Sequence, residues 1–337
     1  MNNAEISVAS PSALLAAIPA VLGFVAEKSL IVVTLERNRM HAVLRVDLAD
    51  DLLASAAKIS ETAASAGADA AILVVVDNDE ARCPMCHQDH RTLGETLTAA
   101  LAARGITVTA LYAAEALSAG AHWVCLDGVG RGTHGEVDDP GSSPMAVAAV
   151  LAGRRLYGRR EELLDVIAVN DPARAAGLAG LIDDIISRGH DPRDPWGAAA
   201  GMDAEAAAAL VAGGGADLSD PQIAELAVSL TDGTVRDALY RLSGGPAAAN
   251  AEDAFTRLSR ILPDPWRAEA LVMVAWFAYS ARGDGPLAGL AVEAALGINH
   301  THRMANLLHA ALQAGVHPTR IRELTEKPFR RAGTGEQ

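Results

Sequence analysis

Apolar positions recur with two different periods along the chain, and the pattern changes near residue 140. Before that point, short strand-like runs stand between stretches with helical spacing. After it, the apolar positions follow helical spacing almost to the end of the chain. The change predicts a mixed α/β sheet domain over residues 1–140 and an all-α domain over residues 141–330.

The first domain is predicted to be a mixed sheet flanked by helices. Strands are expected where β-branched and apolar residues dominate, the first two forming a hairpin: 29–35, 40–48, 70–76, 106–113 and 121–126. Helices are expected where apolar residues recur every third or fourth position: 11–22, 51–66 and 92–104. The run 70–76 has no polar residue, which is typical of a strand covered on both faces.

The second domain is predicted to be built from helical hairpins. Residues 265–314 carry the clearest one, and Trp276, Tyr279 and Gly289 stand much as a tetratricopeptide-type hairpin places such residues. The full repeat does not recur at constant period, so a stack of helical hairpins is the interpretation. Such stacks commonly present a groove to another protein.

Charge and cysteine content narrow the classes of partner. The net charge of −14 argues against nucleic acid as a main partner, since nucleic-acid binders carry a basic face. Three cysteines do not suit a secreted disulfide framework. With no basic segment before the first apolar run, and apolar runs too short to span a bilayer, we expect a cytoplasmic protein outside the membrane.

The motif that points most clearly to chemistry follows the strand 70–76. Cys83, Cys86, His87 and His90 place two thiols and two imidazoles within eight residues, and all four are zinc-ligand types. Four ligands this close together are crowded for one tetrahedral ion. We therefore predict that a distant ligand completes the set, supplied by one of two residues on a neighbouring strand: His122 or Cys125.

Three other interpretations of the motif remain open. A Cys-x-x-Cys pair between a strand and a helix resembles a thioredoxin-type redox centre, although the helix is expected to begin only at Thr92. Cys83 to His87 also reads as a covalent haem-attachment sequence, which would need export from the cytoplasm. The fourth interpretation is an exposed loop with two reduced cysteines and no ligand.

A second candidate site lies where the sheet strands end. Gly128, Gly130, Arg131 and Gly132 form a glycine-rich loop whose backbone N–H groups could bind a phosphate, and Asp77 follows the strand 70–76. Neither the dinucleotide fingerprint nor the P-loop pattern is matched, because no helix starts in the loop. An interdomain loop and a capping aspartate are the alternatives.

Several segments together resemble the actinobacterial domain-of-unknown-function family DUF4192. They span nearly the whole chain: 10–33, 142–163, 231–238, 275–291 and 307–316. The resemblance implies a two-part architecture and an actinobacterial origin, and it implies no activity. The Cys83–His90 motif is not among the matching segments.

These observations favour a protein-binding or scaffold module with a structural zinc site. The alternative is an enzyme or sensor that binds a small ligand or nucleotide at the strand ends, near Asp77. The histidines of the last helices, His300, His302 and His309, lack a carboxylate partner in register, and we expect them at the surface or at helix caps.

Overall fold

The protein is described here from a computed structural model. The described residues are 10–37, 39–48, 52, 54–65, 67–79, 81, 83, 85–127, 132–151, 153–189 and 201–326. The chain divides into two compact units, one running to residue 163 with 313–315, the other covering 164–312 and the residues from 316 onward. The first unit therefore extends beyond residue 140, where we placed the domain boundary.

The first unit combines six strands with helices, five of the strands lying where the sequence predicts them. The strands are β1 Ser29–Glu36, β2 Arg39–Asp47, β3 Ala70–Val76, β4 Thr107–Ala114, β5 His122–Cys125 and β6 His134–Glu136. The helices are α1 Pro11–Leu22, α2 Ala56–Ser65, α3 Cys86–Ala102, α4 Pro144–Leu151 and α5 Arg160–Leu164, whose last residue begins the second unit.

The sheet is mixed, which confirms the predicted fold class. Its strand order is β2-β1-β3-β4-β5-β6, with β3 and β4 parallel and the other neighbouring pairs antiparallel. The β1–β2 hairpin is confirmed. Strand β3 is buried along both faces, and its side chains Leu73 and Val75 pack with Leu97 and Leu101 of α3. This packing fixes α3 over the sheet.

Helix α1 shows how directly local chemistry determines an element. The Ser10 hydroxyl accepts a hydrogen bond from the Ala13 N–H at 3.2 Å, and Pro11 occupies the first turn. Gly23 ends the helix with φ of 78°, a left-handed conformation that glycine adopts without strain. Both ends lie where the sequence predicts them.

Two elements of the first unit differ from the prediction. Helix α3 begins at Cys86, not at Thr92, because the polar residues after Cys86 continue the helix as its first turn. Strand β6 lies in the stretch predicted to be a loop. It has only three residues and little apolar pattern, and it forms by pairing with β5, Trp123 opposite Gly135.

The second unit is entirely helical in its described part. Its helices are α6 Pro172–Gly189, α7 Ala204–Ala212, α8 Asp220–Ser229, α9 Gly233–Arg241, α10 Ala248–Ile261, α11 Trp266–Arg282, α12 Gly285–Ile298, α13 Arg303–Gln313 and α14 Pro318–Glu326. Helix α11 is buried almost all round, so it forms the centre of this unit. In the described part of the chain, no helix has an apolar stretch long enough to cross a membrane.

Candidate functional site

Asp77 lies at the end of β3, as predicted, and it is buried in a local network. One carboxylate oxygen, Oδ1, accepts the Asp79 N–H at 3.0 Å and lies 2.9 Å from the Lys28 ammonium. Lys28 also lies 2.6 Å from Asp79 Oδ2. Hydrogen bonds from Lys28 to Asp79 and then to Asp77 raise the pKa of the lysine. The network shows Asp77 bonded within the turn that follows β3.

The two cysteines of the motif lie at the start of α3. The Cys86 N–H points at the Cys83 Sγ, 3.4 Å away, and the His87 N–H donates to the Cys83 carbonyl at 3.1 Å. The His87 ring Nε2 lies 2.7 Å from the Ala81 carbonyl oxygen. His90 is buried one helical turn later. Cys83 and Cys86 are partly exposed thiols.

His122 and Cys125 lie on β5, two strands away from β3. Two strand spacings amount to about 10 Å. Cys125 is opposite Tyr112, inside the sheet, and its burial raises the pKa of the thiol. The His122 ring contacts the His134 ring, with centroids 5.6 Å apart. Within the described ranges, no group of three or more His, Cys, Asp or Glu side chains is arranged to hold a metal.

The glycine-rich loop falls largely outside the described residues. Gly128, Gly130 and Arg131 lie outside them, and Gly132 is described. Gly132 has φ of 85°, and its N–H donates to the Cys125 carbonyl at 3.1 Å. This N–H is therefore used within the chain. Phosphate binding by the loop stays a prediction.

A pocket in the second unit, with charged and apolar lining residues, was not predicted from the sequence. It has a volume of about 440 Å³, and we call it the helical pocket. Its walls come from α9, from α11 and from the segment that leads into α13. The lining residues are Gly233, Arg236, Asp237, Tyr240, Glu269, Asn299, Thr301, His302, Arg303, Met304 and Leu307.

Glu269 of α11 lies close to two other polar residues that line this pocket, His302 and Arg236. Its Oε1 lies 3.1 Å from His302 Nε2, and its Oε2 lies 3.6 Å from Arg236 Nη1. His302 Nδ1 accepts the Ala305 N–H at 3.2 Å, which caps α13. Because Nδ1 is an acceptor, the neutral ring carries its proton on Nε2, which makes no hydrogen bond among the described residues.

Tyr240 of α9 lies at the buried side of the pocket. The residue is 4% exposed, and its ring packs on Trp276 with centroids 4.7 Å apart. Its hydroxyl is buried and has no hydrogen-bond partner among the described residues. Burial raises the pKa of this phenol, with Glu269 and Asp237 adding to the effect and Arg236 opposing it. The hydroxyl therefore stays protonated and able to donate.

The prediction that His302 lies at the surface or at a helix cap is confirmed by the cap, whereas the expectation that it lacks a carboxylate partner is wrong. The histidine does cap a helix, but it is 8% exposed rather than at the surface. Its carboxylate partner Glu269 comes from another helix, 33 residues earlier, and is invisible in the local pattern. One sequence signal pointed here, since Arg236 and Tyr240 stand four residues apart on one face of α9.

A second cavity in the same unit has a volume of about 480 Å³, and its polar lining is more exposed. Arg257 and Asp253 face solvent, and Arg174 already forms an ion pair with Asp220, with 2.7 Å between Arg174 Nη2 and Asp220 Oδ1. Solvated charges of this kind need no ligand. The helical pocket, with a buried tyrosine hydroxyl, is therefore the better candidate despite its slightly smaller volume.

Comparison with known proteins gives one match. No curated protein and no solved structure matches the chain significantly. The model of the family described as Domain of unknown function (DUF4192) matches residues 11–319, which takes in the sheet, the start of α3 and the helical pocket. The chain therefore belongs to the DUF4192 family.

Proposed function

We propose that this protein binds a small polar molecule in the helical pocket. The observation that carries the proposal is the buried Tyr240 hydroxyl, which lacks a hydrogen-bond partner among the described residues. A buried polar group without a partner costs about 1–3 kcal/mol of stability. A ligand that accepts a hydrogen bond from Tyr240 would recover that cost.

The charges that line the pocket indicate the class of ligand. Two arginines, Arg236 and Arg303, face two carboxylates, Asp237 and Glu269, so the lining is close to neutral. A strongly charged ligand would leave part of this set unbalanced. The lining instead favours a neutral or zwitterionic molecule that offers an acceptor to Tyr240.

The rest of the lining sets the size and polarity of that molecule. Met304 and Leu307 supply an apolar wall, and Leu307 is 55% exposed at the mouth. A volume of about 440 Å³ lies within the usual range for small-molecule sites, about 300–1,000 Å³. The ligand would therefore combine a polar end near Tyr240 with an apolar part near the mouth.

The arrangement supports binding more than acid–base catalysis. The free lone pair of a neutral histidine is what a general base uses, and in His302 it accepts the Ala305 N–H. Its other ring nitrogen, Nε2, lies 3.1 Å from Glu269 Oε1 and makes no hydrogen bond among the described residues. The Nδ1 lone pair is thus engaged in capping α13, so it is not available to take a proton from a substrate. A sensor or carrier role fits this geometry.

The test is a thermal-shift screen of the full chain against free amino acids and nucleosides, which are neutral or zwitterionic. We expect at least one of them to raise the Tm, and Tyr240→Phe to weaken its binding about tenfold. Tyr279→Phe is the matched control, because the Tyr279 hydroxyl donates to the Val316 carbonyl and does not line the pocket. No shift with any compound, or equal binding by Tyr240→Phe, would contradict the proposal.

The protein-binding module and the structural zinc site stay predictions. A tagged pull-down with mass spectrometry tests the first. Elemental analysis of the purified protein, compared with Cys83→Ser, tests the second. A metal content near zero in the unaltered protein would end the zinc hypothesis.

A further inference from the structure

Cys83 lies two residues before Met85, the N-cap of α3, and it accepts N–H groups from the first turn of that helix. Its carbonyl accepts the His87 N–H at 3.1 Å, an i to i+4 bond that begins the helical pattern one turn before Met85 and Cys86. Its Sγ accepts the Cys86 N–H at 3.4 Å, as a capping side chain accepts the N–H three residues later. The two thiols therefore lie just before the N-terminus and at the first residue of a 17-residue helix.

This position favours the thiolate form of Cys83. Sulfur that accepts a backbone N–H at a helix N-terminus is stabilised as an anion by that N–H and by the aligned peptide dipoles. The thiolate is the form that attacks disulfides. Asp89 also lies in this first turn, but its side chain faces solvent, where its repulsion is screened.

Access and spacing suit the same chemistry. Cys83 and Cys86 are both partly exposed, and Met85 between them is 84% exposed, so a partner can reach the turn. Residues three apart in a helical turn have Cα atoms about 5 Å from each other, within the disulfide range of about 4.4–6.8 Å. The third cysteine, Cys125, is buried and offers an internal comparison.

We propose that Cys83 and Cys86 form a reversible dithiol–disulfide couple that reduces disulfides of another molecule. The Cys83 thiolate attacks one sulfur of the disulfide, the S–S bond breaks, and the released thiolate takes up a proton. Cys86 then loses its proton and attacks Cys83 Sγ, which closes the Cys83–Cys86 disulfide and releases the second thiol. Two electrons pass to the partner, and its two thiols take one proton from Cys86 and one from solvent. This proposal is independent of the helical pocket.

The first experiment equilibrates the full chain in glutathione buffers from fully reduced to mostly oxidised. At each ratio of reduced to oxidised glutathione, alkylation followed by mass spectrometry counts the remaining thiols. We expect Cys83 and Cys86 to disappear together as one two-electron couple, while Cys125 remains a thiol that is alkylated only after unfolding. Oxidation to glutathione adducts alone, with no internal disulfide at any poise, would overturn the proposal.

Two serine variants assign the roles of the cysteines. Cys86→Ser should trap a glutathione mixed disulfide on Cys83, because no second thiol resolves it. Cys83→Ser should trap at least tenfold less on Cys86 in the same time, and Cys125→Ser should behave as the unaltered protein. Alkylation rates of Cys83 and Cys86 in the unaltered protein give the same ranking without any variant. Equal rates would contradict the assignment of Cys83 as the attacking thiol.

Two further measurements identify the class of disulfide that is reduced and test the competing zinc hypothesis. Reduction of oxidised glutathione and reduction of insulin disulfides distinguish small from protein substrates, and either supports the couple. Failure with both would overturn it. One zinc per chain that is lost in Cys83→Ser, with no disulfide on oxidation, would also overturn it.

Discussion

The thiol pair and the helical pocket are built in opposite ways. Cys83 and Cys86 are three residues apart and need only one turn of one helix to meet. The pocket needs Tyr240, Glu269 and His302, which come from three separate parts of the second unit. A local site can be seen in the sequence before any fold is known, whereas a non-local site becomes visible only when the helices are packed.

The two sites also differ in how much tight packing the fold must provide to form them. The thiols are partly exposed, so water solvates them and the fold gives up little to hold them. The pocket keeps a tyrosine hydroxyl and a carboxylate largely away from water, and α11 and its neighbours must pack tightly to do so. Perturbing the helical unit should therefore damage the pocket and spare the thiols.

The strongest test of this contrast is Trp276→Ala. Trp276 is 4% exposed, supports the Tyr240 ring, and its Nε1–H donates to Ser243 Oγ at 3.1 Å. Its loss should cost about 3–5 kcal/mol of unfolding free energy in urea and abolish ligand binding. The alkylation rates of Cys83 and Cys86 in the folded protein should not change.

The control for this substitution is Val150→Ala, which alters a side chain that is 68% exposed. Its unfolding free energy should stay within about 0.5 kcal/mol of the unaltered protein. If Trp276→Ala slows or accelerates alkylation of the thiols, the two sites are energetically coupled and do not respond independently to substitution.

A smaller effect is expected from pH through Glu252 of α10. Burial raises the pKa of this carboxyl from 4.5 to about 7, although Arg282, its ion-pair partner, opposes the shift. The folded protein thus holds the proton more tightly than the unfolded chain. The resulting stability is fully present below pH 4.5 and is lost as pH rises through 7, on the order of 3 kcal/mol in all.

Urea unfolding between pH 4.5 and 8 measures this loss. Glu252→Gln, which cannot ionise, should remove most of the decline, and Glu293→Gln, at an exposed position of α12, should leave the decline as it is. A decline of equal size in Glu252→Gln would assign it to other groups. The reactivity ranking of the thiols should be unaffected by either variant.

Gly94→Ala tests the other side of the comparison, the helix that carries the thiols. A Cβ at this position of α3 would lie 2.5 Å from Leu111 Cδ2, and Leu111 is itself 6% exposed on β4. We expect a loss of about 1–2 kcal/mol by urea unfolding, with ligand binding in the helical pocket unchanged.

Gly177→Ala is the matched control for a glycine within a helix. A Cβ on Gly177 of α6 meets nothing within 4 Å, so the gain in helix propensity should stabilise the protein by up to about 1 kcal/mol. A loss of stability in Gly177→Ala, or a gain of stability in Gly94→Ala, would contradict this account of the packing around the two glycines.

The smallest expected effects on stability come from removing the hydroxyl groups of two tyrosines. Tyr279→Phe removes a hydroxyl that donates to the Val316 carbonyl, and should cost about 1 kcal/mol. Tyr240→Phe removes a buried hydroxyl that has no partner among the described residues, and should leave stability unchanged or slightly raised. A clear loss in Tyr240→Phe, measured without ligand, would show that its hydroxyl is already satisfied.

Features that depend on neighbouring residues could be predicted from the sequence, whereas features that depend on distant residues could not. Ser10, Pro11 and Gly23 act on their own neighbours, so both ends of α1 could be predicted. The β3 run is buried on both faces, and its apolar composition already indicates that. Strand β6 and the start of α3 were missed because neither has an apolar pattern, and β6 depends on β5 for its pairing.

The candidate sites show the same difference between local and distant interactions. Cys83 and Cys86 could be identified from spacing alone, although the start of α3 at Cys86 could not. The close approach of Glu269 to His302 depends on how α11 packs against the start of α13, which residue spacing does not encode. Asp77 was placed correctly at a strand end, but its partner Lys28 is 49 residues away.

The edges of the sheet have a consequence for behaviour in concentrated solution. In the described part of the chain, β2 and β6 are the outermost strands. Strand β6 has three residues, too few to template another chain, and β2 carries charges at Arg39, Arg45 and Asp47. A register irregularity at Thr34 and Leu35 breaks the regular pairing of β1 with β2. Short, charged and irregular edges resist strand addition, so copies of this protein should not aggregate through their sheets.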